Sequence, residues 1–292
     1  MRHAHLTLWS GPQLSDRKLK KMVDQVSLSG ALRTDLFSLQ QTTRLGARAG
    51  EQLATGLQIR NPLDGAQEFF QSNALSDRAG DLTRAKDGVD QAISTVQAAT
   101  NGLDAIDDLT QQAEGLARAA RSTSDPAQRE ALAGQFNEVL IQIDNIAQDA
   151  GFNGTNLVQS TPDDLPVALN ETGSSSVTFE GADSTSGGLG ITPTTFASDA
   201  DIDVALAQTT AARSTVRANT GGLSSGIAAL QTRIEFTQNL TNTLESAAAD
   251  LTNANLNEAA ANRLAIDSRQ QIGLNALSLG AQSESAILGL FG

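Results

Sequence analysis

From Leu82 onward the apolar residues keep a strict step: Leu82, Val89, Val96 and Leu103 recur every seven positions, and Ala85, Ala92, Ala99 and Ile106 fill the companion position. Such a stripe predicts a long helix with a coiled-coil-like seam, running to about Arg121 and about 60 Å in length. Asn101-Gly102 resembles a hairpin turn in isolation. The heptad phase passes through it unbroken, so the helix is kept, at a local cost of ~1 kcal/mol for the glycine. The stretch "RSTSDPAQRE" breaks the pattern, with Asp125 suited to an N-cap, Pro126 to the first helical position and Gln128 to the returning partner of a capping box. Leu132, Phe136, Val139, Ile143 and Ile146 then keep four-three spacing, which predicts a second helix folded back antiparallel on the first. It closes at "GFNGTNLV", where Gly151, Asn153, Gly154 and Asn156 suit the positive φ of a structural turn leading into short strands.

Between 160 and 200 the period changes to two. "LPVALN" and "SVTFEG", separated by "ETGSS", read as a β-hairpin, and "GGLGI" as a further short strand or turn. A stretch of this length buries little by itself, so it reads as a surface-exposed β/loop insertion. Helical spacing resumes near Asp201 through Leu223, Ile227, Leu230, Ile234, Leu244, Ala248 and Leu251. Both ends carry stripes of their own. Leu32, Leu36, Leu39, Leu53 and Leu57 flank a middle of small residues, Thr43, Gly46 and Gly50, while Ile272, Ala276, Leu279, Ile287, Leu290 and Phe291 crowd the last stretch. Large apolar residues at a chain end need a cover, because ends otherwise fray. The glycines permit close helix approach and leave the free segments weakly helical.

The fold class is therefore mainly α: long coiled-coil-like helices from both chain ends form an antiparallel bundle, with a small β-rich insertion in the middle. The expected divisions are an N-terminal extension (1–21), an N-terminal core segment (22–66), the first half of the bundle with its β-turn (67–159), the insertion (160–200), the second half of the bundle (201–255) and a C-terminal core helix (256–292). The first segment has a foreign composition, holding both His, the only Trp and three of the four Lys. Met22 is accordingly read as the natural start, with 1–21 as an extension.

Composition narrows the chemistry. A formal charge of −13 with scattered basic residues excludes nucleic acid as a partner, since phosphate neutralisation needs clustered Lys and Arg. The absence of Cys removes disulfides, thiolate catalysis and Cys-ligated metal. No apolar run approaches the ~20 residues of a membrane span, so no membrane insertion is expected. There is no His after residue 5, and no HExxH, GxxxxGK[ST] or GxSxG motif, so neither a catalytic nor a cofactor site is assigned. The pairs Asp107-Asp108 and Asp163-Asp164 have the chemistry for Ca²⁺ or acid/base work but no liganding loop around them, and read as ordinary helix or loop charges.

Four stretches together resemble the bacterial flagellins, particularly the short ones of alphaproteobacteria: "TGLQIRNPLDGAQEFF" (55–70), "SDRAGDLTRAKDGVDQAISTVQAATNGLDAI" (76–106), "GFNGTNLV" (151–158) and "LNEAAANRLAIDSRQQIGLNALSLGAQSESAILGLF" (256–291). They lie in family order at both ends of the chain. The resemblance implies a secreted subunit that polymerises helically with copies of itself into the extracellular flagellar filament for swimming motility. It also implies an export chaperone, passage through the flagellar type III export apparatus, and contact with the flagellar cap and hook-associated proteins. The terminal stripes would then be subunit interface, ordered on assembly. Flagellins that activate the Toll-like receptor carry a basic "QRVRELA"-like patch, where this chain reads Gln111-Gln112-Ala113-Glu114-Gly115-Leu116-Ala117, so weak or no activation is expected. Two alternatives stay open: a hook-filament junction protein, which shares the terminal helices, and a soluble helical signalling bundle, which would not need oily ends.

Overall fold

The structure, a computed structural model, describes residues 30–291. In chain order the elements are α1 (Gly30–Thr55), α2 (Ala66–Ser122), α3 (Pro126–Asp149), β1 (Leu165–Ala168), β2 (Ser176–Phe179), α4 (Asp199–Thr252) and α5 (Leu256–Phe291). They fall into two compact units: residues 70–251 form a helical bundle carrying the hairpin, and residues 30–69 pair with 252–291. The expected N-terminal extension and the proposed start at Met22 lie outside the described residues.

Within the bundle, Leu82, Val89, Ala92, Val96, Ala99, Leu103 and Ile106 of α2 are buried and Ala85 is half-buried. The helix begins sixteen residues before Leu82, at Ala66; Leu75, seven residues before Leu82, packs beside it, and the step stops there, with Glu68 at the next position. At 57 residues it is about 85 Å long, well beyond the expected 60 Å. Gly102 remains helical and buried, and the reason is steric. A Cβ there would come within 2.4 Å of the Ala150 Cβ, so the glycine admits the C-terminal end of α3 against the side of α2.

Asp125 caps α3 as its residue type predicts, with φ −78° and ψ 116°; its side chain accepts from the Ala127 N–H, and Pro126 opens the helix. Gln128 does not close a capping box. Its Oε1 accepts from the Thr123 hydroxyl at 2.9 Å, and Thr123 Oγ1 takes the Asp125 N–H that Gln128 was expected to satisfy. Thr123, two residues before the cap, is the nearer acceptor and displaces the box. Of the expected α3 seam, Phe136, Val139 and Ile143 are buried and Leu132 packs at the margin of the core.

The turn after α3 takes the expected positive φ at Asn153 and Gly154 but not at Gly151 or Asn156. Asn153 (φ 51°) and Gly154 (φ 85°) occupy the two central positions, and Phe152 and Thr155 exchange backbone hydrogen bonds of 2.9 and 3.0 Å across them. Two successive positive φ values are the signature of a type I′ turn, which Asn-Gly favours. Asn156 then joins helix end to loop. Its amide nitrogen donates to the terminal carbonyls of Ala147 and Gln148, while its Oδ1 accepts from the Val158 and Gln159 N–H groups. One buried side chain thus satisfies two of the carbonyls that an α-helix leaves open at its C-terminus.

β1 and β2 pair antiparallel with Leu165 opposite Phe179 and Ala168 opposite Ser176. The hairpin loop is tied to both long helices: Arg78 of α2 reaches Glu171 at 2.9 Å, and Arg233 of α4 donates to the Leu169 carbonyl at 3.0 Å. "GGLGI" is a turn rather than a strand, with Gly190 at φ +74°. The segment 160–200 is more than a surface attachment. Val167, Phe179, Leu189, Ile191 and Phe196 are buried in the same cluster as the α2, α3 and α4 seams. Too short to make a core alone, the segment shares the bundle's. Phe196 meets Phe136 with ring centroids 5.3 Å apart, and Phe179 lies against Gly226 so closely that a Cβ there would sit 2.2 Å from its ring. Asn137 holds the incoming chain by exchanging two 3.0 Å hydrogen bonds with the Thr194 backbone.

On α4, Leu230 and Leu244 are buried, Leu223 packs at the core margin, and Leu251 is half-buried near the helix end. Leu244 belongs with Ala79 and Leu82 to a second, smaller cluster, so packing thins toward that end of the bundle. Gly102→Ala should lower the bundle's thermal stability by about 1–3 kcal/mol through overpacking against Ala150, despite the better helix propensity of alanine. Calorimetry showing a stabilised variant would contradict the packing role of the glycine.

Candidate assembly surface

In the other unit, α1 and α5 lie antiparallel, and small residues set their separation. On α5 the residues turned inward follow one another at four-three spacing: Ala259, Arg263, Ile266, Gln270, Gly273, Leu277 and Gly280. On α1 the facing set is Leu39, Thr42, Gly46, Ala49 and Leu53. A Cβ at Gly46 would stand 3.2 Å from Ile266, and one at Gly273 would stand 3.3 Å from Leu39. Both glycines therefore mark points where a side chain of one helix rests against the backbone of the other. At the base of the pair, Leu57 bridges Asn253 in an isolated antiparallel bridge, with Ala254 donating to the Gly56 carbonyl and Gln58 to that of Thr252.

The terminal residues read as subunit interface divide between two places. Leu39 and Leu53 are half-buried on the α1–α5 seam and Leu57 sits in the basal bridge, so the chain itself supplies much of the cover that was expected from outside. Ile272, Ala276 and Leu279 lie on the opposite side of α5 and remain exposed, Ile272 at 68% and Leu279 at 65%. Leu264 joins them at 71%. At 100° per residue this stripe is turned roughly 150° away from the seam. Leu36 is exposed, as is Phe37 at 70%. The side chains of Leu32, Ile287, Leu290 and Phe291 lie outside the described set. On α5 the seam does not stand out by apolar spacing, because Ala259, Arg263, Gln270, Gly273 and Gly280 carry it beside only two large apolar residues, Ile266 and Leu277. The regular placement of Ala259, Ile266, Gly273 and Gly280 was the available signal.

Beside the apolar core, ion pairs also join α2 and α4. Arg213 of α4 reaches Asp107 at 3.2 Å and Glu114 at 3.0 Å on α2, and Arg217 reaches Asp107 at 3.3 Å. Arg118 pairs with the other oxygen of Glu114. Burial pushes the Glu114 carboxyl up, but hydrogen bonds from Arg118 and Arg213 outweigh it and hold it below the ordinary glutamate value. At the far end of the bundle, Asp199 accepts from both Arg121 and Arg129, which together hold its carboxyl below the usual aspartate range. Asp107 is thus occupied by two arginines, while Asp163 and Asp164 accept the backbone N–H groups of Asn156 and Gly181. Among the described residues no group of three His, Asp or Glu is arranged to hold a metal, and no helix is long and apolar enough to cross a membrane.

Long paired helices with an exposed apolar stripe on a terminal one have the form of a structural subunit. Residues 31–162 match the family described as the bacterial flagellin N-terminal helical region. Flagellin FljM of Caulobacter vibrioides is 30% identical over 265 residues, which cover 90% of this chain and 96% of the relative. Flagellin FljO of the same organism is 29% identical over the same shares. A crystal structure of Bacillus cereus flagellin superposes with a TM-score of 0.47 at 18% identity, covering 51% of this chain and 88% of that one. The chain belongs to the bacterial flagellin family, and it is a structural subunit of the flagellar filament. With flagellins matching nine-tenths of its length, the hook-filament junction alternative is not favoured.

The depressed carboxylates give a pH dependence of defined sign. A group whose folded pKa lies below its unfolded value contributes stability above the unfolded pKa and loses it as pH falls through the folded one. The bundle should therefore keep its stability above the ordinary Glu and Asp values of 4.5 and 3.8 and lose it below them. Glu114→Gln should flatten the acid limb of a plot of unfolding midpoint against pH. An unchanged limb would remove Glu114 from the account.

Proposed function

We propose that the chain polymerises through the outer face of α5, the stripe of Leu264, Ile272, Ala276 and Leu279, seated on neighbouring subunits. The observation that carries this reading is the two-sidedness of the helix: α1 covers one side, and the large apolar residues lie on the other. Exposed apolar stripes of this kind mark interaction sites, and burying a single Leu or Ile contributes about 1.5–3 kcal/mol. Leu36 and Phe37 on α1 are exposed as well, and Leu32, Ile287, Leu290 and Phe291 continue the sequence pattern of apolar residues toward the chain ends. A contact between different faces of successive copies produces a filament rather than a ring when its rotation does not close.

Folding of the ends is coupled to this assembly. Ordering a residue costs about 1–2 kcal/mol of backbone entropy, and a single small-residue seam offsets little of that. Glycines at 46, 50, 273 and 280 lower the helicity of the isolated segments further, which keeps them compatible with export as an unfolded chain. The partners that follow are an export chaperone covering the apolar end in the cytoplasm, the flagellar type III apparatus, and the cap and hook-associated proteins at the two ends of an extracellular filament. Family membership supports each of these.

Replacing Ile272 and Leu279 together by Asp should abolish polymerisation in sedimentation assays while leaving the bundle's melting temperature unchanged. Filaments of normal yield from that variant would refute the outer-face interface. Receptor activation is proposed to be weak, for a reason beyond the missing arginines. Glu114 is buried and occupied by Arg118 and Arg213, so the segment 111–117 presents neither a basic patch nor a free acid. A Toll-like receptor reporter assay should give little signal, and full potency would overturn this.

A further inference from the structure

α5 carries apolar residues on both of its long sides. Its inner side has Ile266 and Leu277 among small residues, while its outer side has the larger set of Leu264, Ile272 and Leu279. Burial alone would therefore turn the outer side toward α1. The inner side nevertheless faces α1, and it carries one feature the outer side lacks. Arg263 is half-buried on the seam, with Nη1 donating to the Gly46 carbonyl at 2.8 Å and Nε held by both carboxylate oxygens of Asp267 at 2.9 and 3.0 Å. Its seat exists because α1 has no side chain there. A Cβ at Gly50 would come within 2.5 Å of Nη1. Gly46 and Gly50, one helical turn apart, form the notch, and Asp267, one turn along α5, aims the guanidinium into it. The basal bridge at Leu57 and Asn253 fixes where the two segments meet, but backbone hydrogen bonds outside the helix leave rotation about the α5 axis open.

We infer that Arg263, seated in the Gly46/Gly50 notch, is the positioning residue that selects which face of α5 meets α1, and so keeps Leu264, Ile272 and Leu279 turned outward for assembly. A polar group at a helix seam specifies orientation at some cost in stability, as a buried Asn does in coiled coils. The inference rests on the polymerisation reading above and adds to it the residue that prevents the chain from satisfying its own interface.

The chain has no cysteine, so introduced pairs report cleanly. Leu39→Cys with Gly273→Cys places thiols across the seam, and Leu39→Cys with Ile272→Cys is the mismatched pair, one residue along and turned by about 100°. Assembled filaments are treated with a short thiol cross-linker, dissolved, and scored for intrachain linkage. With Arg263 present, the 39–273 pair should dominate. In an Arg263→Leu background the ratio of 39–273 to 39–272 linkage should fall about tenfold, the shift expected from losing one charge-assisted hydrogen bond. Should that variant yield no filaments, Gly50→Ala is the second test. It fills the notch, keeps both apolar faces and raises helix propensity, so a better helix alone predicts an unchanged ratio. A ratio that stays high with Gly50→Ala or Arg263→Leu overturns the inference and leaves the polymerisation reading intact. Absence of 39–273 linkage in wild-type filaments would instead overturn the paired ends on which both stand.

Discussion

A helix has two long sides, and one neighbour can cover only one of them. α5 meets this constraint with apolar residues on both, and α1 takes the side made of small ones. Everything distinctive about the terminal unit follows. The seam is glycine- and alanine-rich, so the two helices approach closely without consuming the large residues. Leu264, Ile272 and Leu279 are left over, an exposed apolar stripe of the kind that marks an interaction site. The bundle of α2, α3 and α4 obeys the opposite rule. Its Leu, Val, Ile and Phe residues are sunk in a core to which even the insertion contributes, and ion pairs such as Arg213 with Asp107 and Glu114 finish the join between the long helices.

The contrast explains how one chain serves as both a finished fold and an unfinished one. Residues 70–251 close their polar accounts internally: Asn156 caps α3, Asn137 clasps the Thr194 backbone, and Arg78 and Arg233 pin the hairpin loop. Between α1 and α5 the polar links include the backbone bridges that join 56–59 to 252–254, the reach of Arg263 to the Gly46 carbonyl, and the 3.5 Å contact of Gln270 with Thr43.

The bundle was legible because its information is local and periodic. A seven-residue repeat of Leu and Val names a helix and its buried face together, and Asp125-Pro126 and Asn153-Gly154 name their cap and turn by conformational need. Features that depend on a distant partner were harder to see. Gly102 reads as a defect until Ala150 is placed against it, and the insertion reads as surface until Phe196 finds Phe136. The Arg263 notch needs three residues from two ends of the chain, none of which is apolar, so no count of hydrophobic spacing points to it. Leu39 and Leu53, half-buried between α1 and α5, show that spacing alone does not tell an intrachain seam from an exposed apolar stripe.

The central claim is that the outer face of α5 is covered only by other subunits. Because the chain lacks cysteine, a single Leu279→Cys reporter tests it directly through the rate of thiol labelling in monomer and in filament, with Thr172→Cys in the exposed hairpin loop as the control. The account predicts that the cysteine at 279 labels readily in the monomer and is protected on assembly, while the one at 172 labels in both. Equal labelling at 279 in monomer and filament would contradict it.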